Sequence, residues 1–182
     1  MNTYKAQGVV LKRTNFGEAD RLITFYTRFQ GKIKALAKGV RRLSSRKRGS
    51  LEIFNLVEFL AVKGKGLDLV TEVETLESFS GWRQNLKKVA IAYEFCEMVD
   101  RLTVEEAAQG EVYDLLVDYL ERLSNTAEEQ LGELTEKFGR ELLIMLGFWP
   151  EQKSFPSGFS VTNFIEQVIE RELKSKNMIK KL

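Results

Sequence analysis

Apolar and polar residues alternate with period two along roughly the first eighty positions, then recur every three or four positions along the remaining hundred. Successive side chains of a strand point to opposite faces, whereas those of a helix return to one face after three or four residues. The first pattern therefore predicts five strands, over residues 4–13, 22–29, 32–38, 54–63 and 67–77. In the third run Ile33, Ala35 and Ala37 share one face, while Lys32, Lys34, Leu36 and Lys38 share the other. A slip of one residue would bury the lysines, so this run is expected to turn them away from the core. In the fifth run Leu67, Leu69, Thr71 and Val73 oppose Asp68, Val70, Glu72 and Glu74. Gln30-Gly31 and Gly64-Lys65-Gly66 read as turns. Five strands with short turns suggest a small barrel or sandwich, with an OB-like and an SH3-like barrel both open.

The period changes near Ser80. Trp82, Leu86, Val89, Tyr93 and Cys96 step along a helix expected over 81–102. Thr103-Val104-Glu105-Glu106 has the form of a capping box and predicts a second helix to about 123. Thr126-Ala127-Glu128-Glu129 repeats that form before a third helix, which carries Leu131, Leu134, Phe138, Leu142 and Met145 to a stop at Gly147 with Pro150 behind it. After a loop over 151–160, a last helix is expected over 163–175 with Phe164, Ile165, Val168 and Ile169 inward, and its basic tail, 174–181, is expected to fray. Strands followed by helices predict an α+β chain, divided near Phe79-Ser80-Gly81 into a domain over 1–79 and a helical domain over 80–182.

Composition adds little until charge is mapped. With 43% hydrophobic and 30% charged residues, the 182-residue chain reads as an ordinary globular protein. No run approaches the ~20 apolar residues of a membrane span, and the start lacks a signal peptide's apolar core. The single Cys96 fits a reducing cytoplasm and, flanked by Glu94 and Glu97, reads as an inert core residue. The net charge of +2 conceals an asymmetry: 15 Lys/Arg against 8 Asp/Glu in residues 1–80, and 13 against 18 in residues 81–182. Lys32, Lys34, Lys38, Arg41, Arg42, Arg46, Lys47 and Arg48 follow one another with no acidic residue between them. Cations concentrated on a strand face and its adjacent loop predict a polyanionic partner, nucleic acid first. Phe16, Phe25, Tyr26 and Phe29 lie close by in sequence. Phe25 and Phe29 share one strand parity and Tyr26 the other, so one set is expected in the core and the other free for base stacking.

Catalytic chemistry finds no footing. The chain has no histidine, which removes the commonest general base and zinc ligand. Gly64-Lys65-Gly66 lacks the spacing of a phosphate-cradling loop. Glu72 with Glu74, Glu105 with Glu106, and Glu128 with Glu129 read as solvated strand positions or helix-start charges. The expectation is a non-enzymatic protein with neither cofactor nor metal.

With these elements in place, the sequence resembles the RecO family of bacterial recombination mediators. The matching segments are Gly8-Val9-Val10-Leu11-Lys12-Arg13, Gly17-Glu18-Ala19-Asp20-Arg21-Leu22, Gly31-Lys32 and Leu36-Ala37-Lys38-Gly39-Val40-Arg41-Arg42. They continue with Leu56-Val57-Glu58, residues 64–67, Glu77-Ser78-Phe79, Leu142-Leu143 and Leu146-Gly147-Phe148-Trp149-Pro150. The resemblance implies a five-stranded OB-fold barrel followed by an all-helical domain. It also implies binding of single- and double-stranded DNA, annealing of complementary strands, and work with RecR and the single-strand-binding protein in loading RecA. The setting it implies is the bacterial cytoplasm, at the nucleoid. Arg13 and Arg21, inside matching segments, join the eight residues above as DNA-binding candidates.

Family members commonly continue after Pro150 with a cysteine-bearing, in some cases zinc-binding, segment. Residues 151–158 contain no cysteine, so the resemblance implies a helical domain without that metal site. The acidic tail of the single-strand-binding protein, which the family docks on its helical part, could meet only local clusters such as Arg83, Lys87 and Lys88 or the C-terminal lysines. An RNA-binding OB module and a protein-interaction scaffold remain the alternatives from other classes.

Overall fold

The structure, a computed structural model, describes residues 2–179. Met1, Lys180, Lys181 and Leu182 lie outside the described residues, so the expectation for the last two lysines of the tail does too. The chain forms two compact units, one of Met1–Ser78 with Val104–Tyr113, the other of Phe79–Thr103 with Asp114–Leu182.

The first unit is a closed five-stranded barrel, the OB fold, built from β1 (Thr3–Phe16), β2 (Asp20–Thr27), β3 (Gly31–Ala37), β4 (Leu56–Val62) and β5 (Asp68–Glu77) in the order β1-β2-β3-β5-β4. The long β1 makes closure possible: residues from Thr3 pair with β4, and those to Phe16 pair with β2. The ring closes through a short parallel contact, Ala35↔Asp68 and Leu36↔Leu69. Val10, Ile23, Phe25, Ala35, Ala37, Val57, Phe59, Ala61 and Val70 fill the interior, where Phe25 and Phe59 stack with ring centroids 4.2 Å apart.

Two departures from strict alternation explain where the sequence pattern misleads. Between Leu60↔Glu72 and Ala61↔Val70, β5 carries one extra residue, Thr71. Such a bulge moves the residues beyond it to the opposite face. Val70 is accordingly buried and packs in the core with Val73, which strict alternation places on the opposite face. A second irregularity between Val10 and Lys12 lets Val9, Val10 and Leu11 all be buried.

In the second unit α1 (Leu86–Leu102), the C-terminal part of α2 (Gly110–Arg122), α3 (Leu131–Met145), α4 (Val161–Ile169) and α5 (Lys174–Ile179) surround an aromatic centre. Phe95, Tyr119 and Phe138 meet there with centroids 4.3 to 5.8 Å apart. The buried Trp82 donates its indole N–H to the Leu120 carbonyl at 2.8 Å. Neither expected capping box forms. The Thr103 hydroxyl donates back to the Val99 carbonyl, ending α1, and α2 begins only at Gly110. Thr126 likewise donates to the Arg122 carbonyl. A hydroxyl that finds a carbonyl four residues back has no need of the N–H groups ahead of it. The expected single last helix is two, and residues 174–179, expected to fray, form α5 with the Glu97 carboxylate accepting from the N–H groups of Lys174 and Ser175. Among the described residues no helix is long and apolar enough to cross a membrane.

Candidate nucleic-acid interface

One pole of the barrel is made by the β1–β2 turn, the end of β3 and the long connection from β3 to β4. That connection is a string of turns fastened at several points. The Asp20 carboxylate accepts from the N–H of Gly39 at 2.7 Å. The Arg41 N–H donates to the Ala19 carbonyl, and its guanidinium to the Gly17 carbonyl at 3.2 Å. Val40 and Leu51 drop into the barrel core, and Phe54 donates its N–H to Val10. Apolar anchors at both ends hold the intervening residues against the pole, which leaves Arg41, Arg42, Arg46 and Arg48 exposed.

The ten sequence candidates fall into three groups. Lys38, Arg41, Arg42, Arg46 and Arg48 are exposed at this pole. Lys47 is half-buried, and its ammonium donates to the Val70 carbonyl at 3.1 Å. Arg13 and Arg21 are half-buried at the ends of β1 and β2, with Arg13 paired to Glu52 at 2.5 Å. Lys32 and Lys34 depart from expectation. Lys32 is only 7% exposed, because residues 105 and 106 bridge to the backbone of β3 there, Glu106 donating its N–H to the Lys32 carbonyl. Lys34 stays exposed but is ion-paired with Glu105. A cover from more than seventy residues along the chain leaves no trace in the local pattern, so the three-lysine outer face is reduced to Lys38.

The cations of this pole act on one another. The Arg21 guanidinium is held below its ordinary value by burial first and then by Arg13, with Arg41 and Arg48 adding to the effect and Glu52 opposing it.

Stacking surfaces are fewer than expected. Phe25 and Tyr26, from both strand parities, are fully buried. Burial pushes the Tyr26 hydroxyl up to about 12. Phe16, 48% exposed, stands at the cationic pole beside the β1–β2 turn. Phe29, 82% exposed, belongs to the β2–β3 turn at the other end of the barrel, where the Arg28 guanidinium lies 5.9 Å from its ring centre. Leu43, 93% exposed in the cationic connection, had no signal in the sequence beyond its isolation among polar neighbours.

The acid pairs assemble no metal cluster among the described residues. Glu72 and Glu74 face outward on β5, and Glu128 pairs with Lys87 at 2.7 Å. Burial pushes the Cys96 thiol far up, away from nucleophilic reactivity. Of the possible tail-docking cations, Lys87 is thus neutralised, and Lys88 donates to the Ser124 carbonyl.

Residues 1–79 match the family model described as Recombination protein O N terminal, and residues 83–154 match Recombination protein O C terminal. The chain belongs to the recombination protein O family. The DNA repair protein RecO of Dehalococcoides mccartyi is 36% identical over 81% of this chain and 58% of its own length. That of Pelotomaculum thermopropionicum is 35% identical over 82% of this chain and 57% of its own length, and that of Gloeothece citriformis 41% over 70% and 45%. The chain thus spans about half the length of the curated RecO relatives it matches.

Proposed function

We propose that this chain is a non-enzymatic DNA repair and recombination mediator, and that the cationic pole of its barrel holds single- and double-stranded DNA through the phosphates. The observation that carries this reading is the group of four exposed arginines, Arg41, Arg42, Arg46 and Arg48, on a connection anchored by Val40 and Leu51. Family membership and the names of the relatives, DNA repair proteins, point the same way. Arginine suits the task because its planar fork pairs with two phosphate oxygens and stays charged.

The scarcity of stacking rings at this pole has a mechanistic consequence. Phosphate contacts position a strand without reading it, and here only Phe16 is placed to occupy a base. A strand gripped by its phosphates keeps its bases free to pair. Neutralised phosphates also repel a second strand less, and the released counterions favour the complex entropically. Annealing of complementary strands follows from that arrangement. On this reading the chain works with RecR and with DNA coated by single-strand-binding protein to help load RecA, in the bacterial cytoplasm at the nucleoid.

Annealing of complementary oligonucleotides, with and without single-strand-binding protein, tests the proposal. Acceleration by the full chain, lost on Arg41→Glu/Arg42→Glu/Arg46→Glu/Arg48→Glu, is the expected result. Tighter binding of RNA than of DNA of equal length, without annealing, would favour an RNA module instead. No affinity for either at moderate salt would favour a scaffold.

A further inference from the structure

The strand register puts two arginines where a core column should end. Arg13 lies opposite Ile23 across the β1–β2 ladder, Arg21 lies opposite Ala37 across the β2–β3 ladder, and both Ile23 and Ala37 are fully buried. Cross-strand partners share a face, so Arg13 and Arg21 occupy interior-facing positions at the mouth of the barrel. Arg21 itself is two residues from Ile23 on the same face. One of its guanidinium nitrogens, Nη1, is buried and meets no hydrogen-bond acceptor among the described residues, and the buried Nη1 of Arg13, although ion-paired with Glu52 at 2.5 Å, likewise makes no aligned hydrogen bond. A buried donor left without an acceptor is costly, and more so when it is charged. Arg41 and Arg48 are near enough to press on the same guanidinium, and Glu52, paired with Arg13, is the acidic group that acts against them. Arg13, Arg41 and Arg48 thus all act on the Arg21 guanidinium, and Glu52 is the carboxylate that opposes them.

We propose that Arg13 and Arg21 form a seat for one phosphate group of the bound nucleic acid, and that the Glu52 carboxylate occupies Arg13 until that phosphate displaces it. This inference rests on the nucleic-acid reading above and deepens it. A phosphate holds its free oxygens, two in a diester and three in a terminal monoester, on a tetrahedral centre rather than in a carboxylate's single plane, so one group can bond both guanidinium forks from different sides and fill the acceptor position Arg21 lacks. Glu52 is 43% exposed at its side chain, so it can swing into water when replaced. The carboxylate keeps the mouth compact in the free protein and sets a threshold for binding. The phosphate can come from within a strand, as a diester with one charge, or from a strand end, as a monoester with nearly two.

The test uses the full chain and fluorescence-detected binding of one oligonucleotide made with a 5′-hydroxyl, a 5′-phosphate or a 3′-phosphate. Glu52→Gln is expected to tighten binding about two- to fivefold, the range of a half-exposed ion pair. That gain should vanish in an Arg13→Gln background, because the carboxylate acts through Arg13. A gain equal for all three oligonucleotides assigns the seat to an internal diester, and a larger gain for one phosphorylated end assigns it to that terminus. Unchanged or weaker binding by Glu52→Gln, or a gain that persists without Arg13, overturns the seat while leaving the nucleic-acid reading intact. Should Glu52→Gln fail to fold, inorganic phosphate added to the wild-type chain decides the matter. It should raise the melting temperature more than chloride of equal ionic strength does, and that difference should disappear in Arg21→Gln. Equal effects of phosphate and chloride on the wild type overturn the seat as well. A wild-type chain that responds to phosphate but binds no oligonucleotide would sink the nucleic-acid reading and with it this assignment.

Discussion

Lys34 and Glu105, seventy-one positions apart, form an ion pair on the outer face of β3. The pair divides the cations of the barrel unequally. Lys34 already has a carboxylate, whereas Arg42 stands exposed on the cationic connection. Lys34→Ala should therefore leave the salt dependence of single-strand binding nearly unchanged. Arg42→Ala should flatten the log–log slope by about 0.7, the share of one phosphate contact. In a Glu105→Gln background Lys34 is released, and Lys34→Ala should then weaken binding as an ordinary contact does. Salt titrations of the four variants check this, and an equal loss for Lys34→Ala in both backgrounds would contradict it.

Gly31 is where the segment covering β3 approaches most closely. Its φ of +68° lies in the left-handed region, and a Cβ there would sit 2.1 Å from the Ala107 carbonyl oxygen. Strain and collision act together in Gly31→Ala, which should destabilise the barrel unit by roughly 3 kcal/mol. Urea unfolding measures it. A change below about 1 kcal/mol would mean that residues around Ala107 do not hold the place described.

Glu94 makes the helical unit sensitive to pH. It is buried, and burial raises its pKa from 4.5 to about 7 against the Thr162 hydroxyl bond, with Glu97 and Glu136 raising it further and Lys176 lowering it. Between those values the folded state holds a proton that the unfolded state has lost. Stability from this group is thus complete below about pH 4.5 and is lost as pH rises through about 7. At ~1.4 kcal/mol per pH unit the loss is on the order of 3–4 kcal/mol. Glu94→Gln keeps an acceptor for Thr162 and should raise stability relative to wild type at pH 8 but not at pH 4.5. With no histidine in the chain, the difference between the two unfolding curves isolates this carboxyl. A difference independent of pH would contradict the assignment.

The sequence pattern was readable wherever neighbours along the strand decide burial. Ile33, Ala35 and Ala37 are buried as their alternation predicts, and the five strands and the helical half lie close to their expected places. Distant contacts overrode the pattern at Lys32 and Lys34, where residues near Glu105 cover β3. A single inserted residue, Thr71, did so at Val70. The cationic connection was legible as a charge run, but its anchoring by Val40 and Leu51 was not, because two isolated apolar residues in a loop carry no period. The interior placement of Arg13 and Arg21 depends on the register of three strands together, which no single run encodes.

The cationic pole as a holder of DNA phosphates is tested most directly by the salt dependence of oligonucleotide binding. Four contacts predict a log–log slope near −3 for the wild-type chain, or about a fiftyfold loss of affinity from 50 to 200 mM salt. Arg41→Glu/Arg42→Glu/Arg46→Glu/Arg48→Glu should bind weakly even at low salt, with a much flatter slope that reflects only the cations left in place, Lys38 and the Arg13–Arg21 pair. A variant that keeps the wild-type slope would contradict the account.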